Sequence, residues 1–163
     1  MFFGAWRRVR VKNSPMPTVP GLPSPYDQVG GIVYFARMLS KIRLHAQGAL
    51  PEEYVAFLGD KQGMFDWRCV LFLGIDYSAL VERTLAGGSD EEILEWAFQI
   101  GRKPTDVEIE VWNGFMTKRG WRDNASDRLR GRCEEAGFGA DRGIQTMFDF
   151  IDVDEDRPLC TKS

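Results

Sequence analysis

This chain of 163 residues has a single histidine, His45, and only three cysteines. Cys69, Cys133 and Cys160 are odd in number and widely spaced, with no Cys-x-x-Cys pair. That pattern argues against a zinc site and reads as reduced thiols in a cytoplasmic protein. No apolar run approaches the roughly 20 residues that a membrane helix requires. The opening MFFGAW is too short for a signal-peptide core, and its charges follow it instead of preceding it. A glycine-rich phosphate loop, GxSxG and HExxH are all missing, so no cofactor is expected. His45 has no serine or cysteine near it in sequence, which leaves a nucleophilic triad without local support. Asp152-x-Asp154-x-Asp156 opens like a calcium loop, but Arg157 and Ser163 stand where glycine and a carboxylate are needed. Asp149, Asp152, Asp154, Glu155 and Asp156 therefore read as a solvated acidic end, and no metal is expected. A net charge of −3 provides no general electrostatic footprint for nucleic acid.

What is present is enough apolar material for a core. The fraction of 44% fits a globular chain of one domain. The organising stretch is Val29 to Gln47, which reads as one amphipathic helix. Ile32, Phe35, Ala36, Leu39, Ile42 and Ala46 recur at spacings of three and four. Asp27 is the expected N-cap, Gly48 sits at a left-handed C-cap position, and Pro51 prevents continuation. A second stripe holds Tyr34, Arg37, Met38, Lys41 and His45. It is either the solvated face or, given Val33, Tyr34, Met38 and Leu44, one side of a covered groove whose cations face an anion.

Downstream, residues 51–66 read as a short helix and a loop. An apolar segment from Asp66 is stopped by Gly74, and Asp76 caps the helix that follows. Ser89 with Glu92, and Thr105 with Glu108, are two capping boxes. Gly114 inside the second of these helices suggests close approach of a neighbour. Asp123 and Asp141 are read as opening two more helices. No hairpin and no βαβ alternation is apparent. The fold class expected is all-α, a compact single-domain bundle of about six to eight helices with short connections.

Residues 1–25 form an extended, proline-rich lead-in, of which 1–15 is read as dispensable. Residues 26–157 form the helical domain and 158–163 a tail. Five stretches carry a resemblance to a known family: SPYDQVGGIVYFARMLSKIRLH, FDWRCVLFLGIDY, GGSDEEILEWAF, IEVWNGFMTKRGW and IQTMFDFIDVDEDR. In that order they resemble a bacterial domain-of-unknown-function family, number five thousand and sixty-nine. The resemblance implies a small, soluble, mainly helical bacterial protein. It implies no catalytic residues.

The functional expectation rests on the first helix. Arg37 and Lys41 would bind an anionic small molecule or a carboxylate group, and Tyr34 would hydrogen-bond it. Trp112 and Asn113 would form the opposing wall, and His45 would be the candidate for moving a proton. The alternative is a module without chemistry that binds another protein or a second copy of itself, because five Trp and eleven Phe exceed what a simple bundle needs. On this reading no membrane or nucleic-acid partner is expected.

Overall fold

The computed structural model describes residues 16–160; the expectation that residues 1–15 are dispensable lies outside them. Eight α-helices and one short hairpin make up the described residues. The mostly helical single domain expected from the sequence is the fold observed.

The organising stretch is built differently from its expectation. Gln28–Val29 (β1) and Ile32–Val33 (β2) pair as an antiparallel hairpin. Gly30 and Gly31, both at positive φ, form its turn. A two-residue turn needs that left-handed backbone, and glycine adopts it without steric cost. The helix, α1, starts only at Phe35 and runs to Ala46 (Phe35–Ala46). Tyr34 is its N-cap, in the left-handed conformation at φ 74°, and Asp27 does not cap it. The Asp27 carboxylate instead accepts from the Ser24 amide. At the far end, Gly48 and Ala49 donate back to the carbonyls of His45 and Leu44, a Schellman closure.

The helices after it follow their caps. They are α2 (Glu52–Val55), α3 (Phe65–Leu73), α4 (Tyr77–Leu85) and α5 (Asp90–Ile100). Then come α6 (Asp106–Lys118), α7 (Ser126–Ala136) and α8 (Met147–Asp154). The Asp76 cap and both expected capping boxes are formed. Asp123 and Asp141 open no α-helix. Asp123 accepts from the amides of Gly120 and Ala125 and holds the turn before α7. Asp141 lies in a short 3-10 turn, while Thr146 and Asp149 form a third capping box for α8. Gly114 has open space where a Cβ would stand, so no neighbour makes the close approach expected there.

Three apolar clusters result. The largest joins the hairpin to α1, α3, α4, α5, α6 and, through Phe148, α8, around Phe35, Leu39, Leu73, Ile93 and Met116. A second packs Val19 and Leu22 of the lead-in against Leu50 and Tyr54. A third holds α7 to α8 through Leu129, Met147 and Phe150. Residues 16–25 are therefore partly embedded in the domain. Between these clusters, the side of α1 bearing Tyr34, Arg37 and Lys41 is left to polar chemistry.

Candidate functional site

That polar side of α1 is buried. Arg37 is 4% and Lys41 2% exposed, so the stripe is not a wet face until its last member, His45. Isolated charges there would cost several kcal/mol each, so each requires a partner. The partners come from distant segments. Lys41 Nζ lies 2.6 Å from the Asp66 carboxylate, at the first turn of α3, and also donates to the Phe57 carbonyl and the Tyr34 hydroxyl. The Tyr34 hydroxyl in turn donates to Asp66 at 2.7 Å, and the Gly59 amide donates to its other oxygen. Asp66 is fully buried. Burial pulls the Lys41 ammonium below its ordinary range, against the opposing pull of Asp66. Burial together with the Asp66 charge pushes the Tyr34 hydroxyl well up.

Arg37 meets Glu155, the residue closing α8, with both guanidinium NH groups. Arg157 contacts the same carboxylate. Burial alone would raise Glu155, but the two guanidiniums outweigh it and hold the carboxyl below the usual range. Asp152, one turn earlier, accepts from the Ser24 hydroxyl at 2.8 Å. Its second oxygen has no hydrogen bond and lies 3.5 Å from Arg157, and burial holds this carboxyl above its usual range. The acidic end is accordingly not solvated. Asp152, Asp154 and Glu155 are buried and only Asp156 is exposed, because the lead-in and α1 close over α8.

Beside this floor lies a cavity of about 120 Å³. Its apolar wall includes Tyr54, Phe57, Met64, Phe65, Met147, Phe150 and Ile151, and its floor includes Tyr34, Arg37 and Lys41. Its remaining charged lining comes from Arg68, Arg119, Arg128 and Arg132, with Asp154 and Glu155. The arginines are the unusual feature. Arg68 and Arg119 both place their guanidiniums over the Phe115 ring, at 5.3 and 5.6 Å from its centroid. Arg119 is anchored by Asp123 at 2.8 Å. Arg68 and Arg128 have no carboxylate partner among the described residues. Partial burial of Arg68, with the like charges of Arg119 and Arg128 close by, pulls its guanidinium below the ordinary range.

The residues expected at the site separate into groups. Tyr34, Arg37 and Lys41 line the cavity, but Asp66 and Glu155 already match both charges. Trp112 and Asn113 do not line it. Trp112 stacks on Phe72 at 4.5 Å, and its indole NH reaches the Val33 carbonyl at 3.4 Å. Asn113 accepts from the Val33 amide and donates to the Gly31 carbonyl, which pins the hairpin to α6. His45 is exposed at the end of α1 and borders a separate shallow depression with Val55 and Leu85. Arg68, Arg119, Arg128 and Arg132 were not among the expected site residues. The four-residue step from Arg128 to Arg132 is the one trace of this lining in the sequence, and it also fits a solvated helix face.

The family described as Domain of unknown function (DUF5069) matches residues 20–157. The chain belongs to DUF5069. No curated protein matches it. The matched span contains the whole charge-paired floor and all four lining arginines; of the cavity lining only Met16 falls outside it.

Proposed function

We propose that this DUF5069 domain binds an anionic small molecule in the cavity between α1, α3, α7 and α8. One observation carries the reading: a half-buried Arg68, crowded by Arg119 and Arg128, has no carboxylate partner among the described residues of a chain of net charge −3. Clustered guanidiniums repel, and a ligand anion removes that repulsion while accepting two or more charge-assisted hydrogen bonds. The apolar wall excludes water from such bonds and strengthens them. Tyr34, Arg37 and Lys41 act here as the rigid floor, and the arginines near Phe115 supply the anion contacts. The test is thermal denaturation at fixed ionic strength in chloride, phosphate, citrate and acetate. At least one polyatomic anion raises the midpoint of the wild type by several degrees, and Arg68→Met abolishes that rise. Identical midpoints in all four salts would remove the proposal.

A second reading, a protein-interaction module, has its own observation. Val107, Val111 and Phe115 form an exposed stripe at four-residue spacing on α6, with Leu71 of α3 also exposed. Sedimentation velocity over a hundredfold concentration range tests self-association, and a monomer throughout would leave this stripe without a homodimer to serve.

A further inference from the structure

We infer that the anion taken by this cavity is a phosphate monoester carrying a body about the size of one ring. The inference rests on the anion-site reading above and names its ligand class. Two observations carry it independently of each other. The first is charge counting. Arg37 is matched by Glu155, Lys41 by Asp66 and Arg119 by Asp123. Arg132 and Asp154 have contacts of their own and are left out of the count. Arg68 and Arg128 remain, two positive charges without a carboxylate among the described residues. A carboxylate ligand carries one negative charge. A phosphate monoester carries close to two near neutral pH and has three terminal oxygens, enough to meet Arg68, Arg128 and the shared guanidinium of Arg119.

The second observation is size and lining. The cavity holds about 120 Å³, somewhat less than the roughly 150 Å³ engineered cavity that takes up benzene. Phe65, Met64, Met147, Phe150 and Ile151 present an apolar surface to that space. A bare inorganic phosphate would leave this wall facing water, whereas a ring or short branched chain would cover it. Met64 and Met147 have the adaptable side chains that fit such a body. The arginines and the apolar wall together select an amphipathic dianion over either half alone.

The experiment is isothermal titration calorimetry of the full chain at constant ionic strength with phenyl phosphate, inorganic phosphate and benzoate. Phenyl phosphate binds at least tenfold more tightly than either of the others. Arg68→Met and Arg128→Met each weaken phenyl phosphate tenfold or more while their circular dichroism matches the wild type. Arg128 is exposed, so its variant keeps the test alive should Arg68→Met misfold. Benzoate binding as tightly as phenyl phosphate would overturn the dianion assignment and leave the anion site standing. Inorganic phosphate binding as tightly as phenyl phosphate would overturn the ring-sized body. Failure of all three to bind, together with salt-indifferent thermal midpoints, would overturn both this inference and the reading beneath it.

Discussion

Lys41 and Arg68 line one cavity and carry the same charge, yet their surroundings are opposite. Lys41 is enclosed, and every donor of its ammonium has an acceptor: a carboxylate, a carbonyl and a hydroxyl. Arg68 is half exposed, and its charged neighbours are other guanidiniums. The inner cation belongs to a closed arrangement in which removing either partner strands the other in low dielectric. The outer one belongs to an open arrangement in which the missing partner has to come from outside. Burial by itself therefore does not separate a structural charge from a recognition charge. Whether the counter-charge is already in the chain does.

The largest expected effect tests the closed half. Lys41→Met leaves Asp66 buried with only the Tyr34 hydroxyl and the Gly59 amide, and should cost about 3–5 kcal/mol in urea denaturation. A cost within about 0.5 kcal/mol would place Lys41 with Arg68 instead and erase the contrast. Arg37→Met should cost less, about 2–3 kcal/mol, because Arg157 remains on Glu155. Equal losses for the two variants would mean that Arg157 does not share the load.

Acid titration sharpens the same half, with a smaller effect. The Glu155 carboxyl is held below its ordinary range by Arg37 and Arg157, against burial. The stability it contributes is complete above the unfolded value of about 4.3 and is lost as pH falls through the folded one. Asp152 has the opposite sign, because burial raises it. Its ionised form costs stability above its folded value, and that cost fades as pH falls through it. Denaturation midpoints between pH 7 and 2 should therefore lose part of their acid limb in Glu155→Gln. In Asp152→Asn they should change only above the ordinary carboxylate range. An unchanged acid limb in Glu155→Gln would mean the pair does not set it.

The smallest effect tests the open half. Arg68→Met should change stability by no more than about 0.5 kcal/mol in chloride. At low salt the variant should be the more stable, since it relieves repulsion from Arg119 and Arg128, and the gain should vanish near 1 M salt. A large loss would reveal a partner inside the chain and move Arg68 into the closed group.

How much of this was legible in the sequence follows from distance along the chain. The caps at Asp76, Ser89 and Thr105 are local hydrogen bonds within three residues, and the order of residues carries them directly. Gly30-Gly31 was also a local signal. It is a hairpin dipeptide, overridden because the apolar spacing from Ile32 onward already fitted a helix. The Arg37 and Lys41 stripe reads equally as a wet face or as one side of a covered groove, and the structure buries both cations. Its partners were not visible. Asp66 looked like the polar edge of an apolar segment and Glu155 like part of a solvated acidic end. The arginines lining the cavity come from α3, the end of α6 and α7, and no local pattern links three segments that only tertiary packing brings together.

The Arg37–Glu155 clasp also has a consequence for the order in which the chain acquires its structure. Its two halves are 118 residues apart, and the Met16 amide reaches Asp154 across 138. During synthesis at roughly 5–20 residues per second, α1 emerges on the order of ten seconds before the helix that neutralises it. In that interval Lys41 can already find Asp66, 25 residues on, whereas Arg37 has no carboxylate to close against. Docking of α8 is then a late step that fastens both ends of the domain at once. Truncation before Met147 should leave a collapsed, dye-binding species that folds cooperatively only when the last helix is restored.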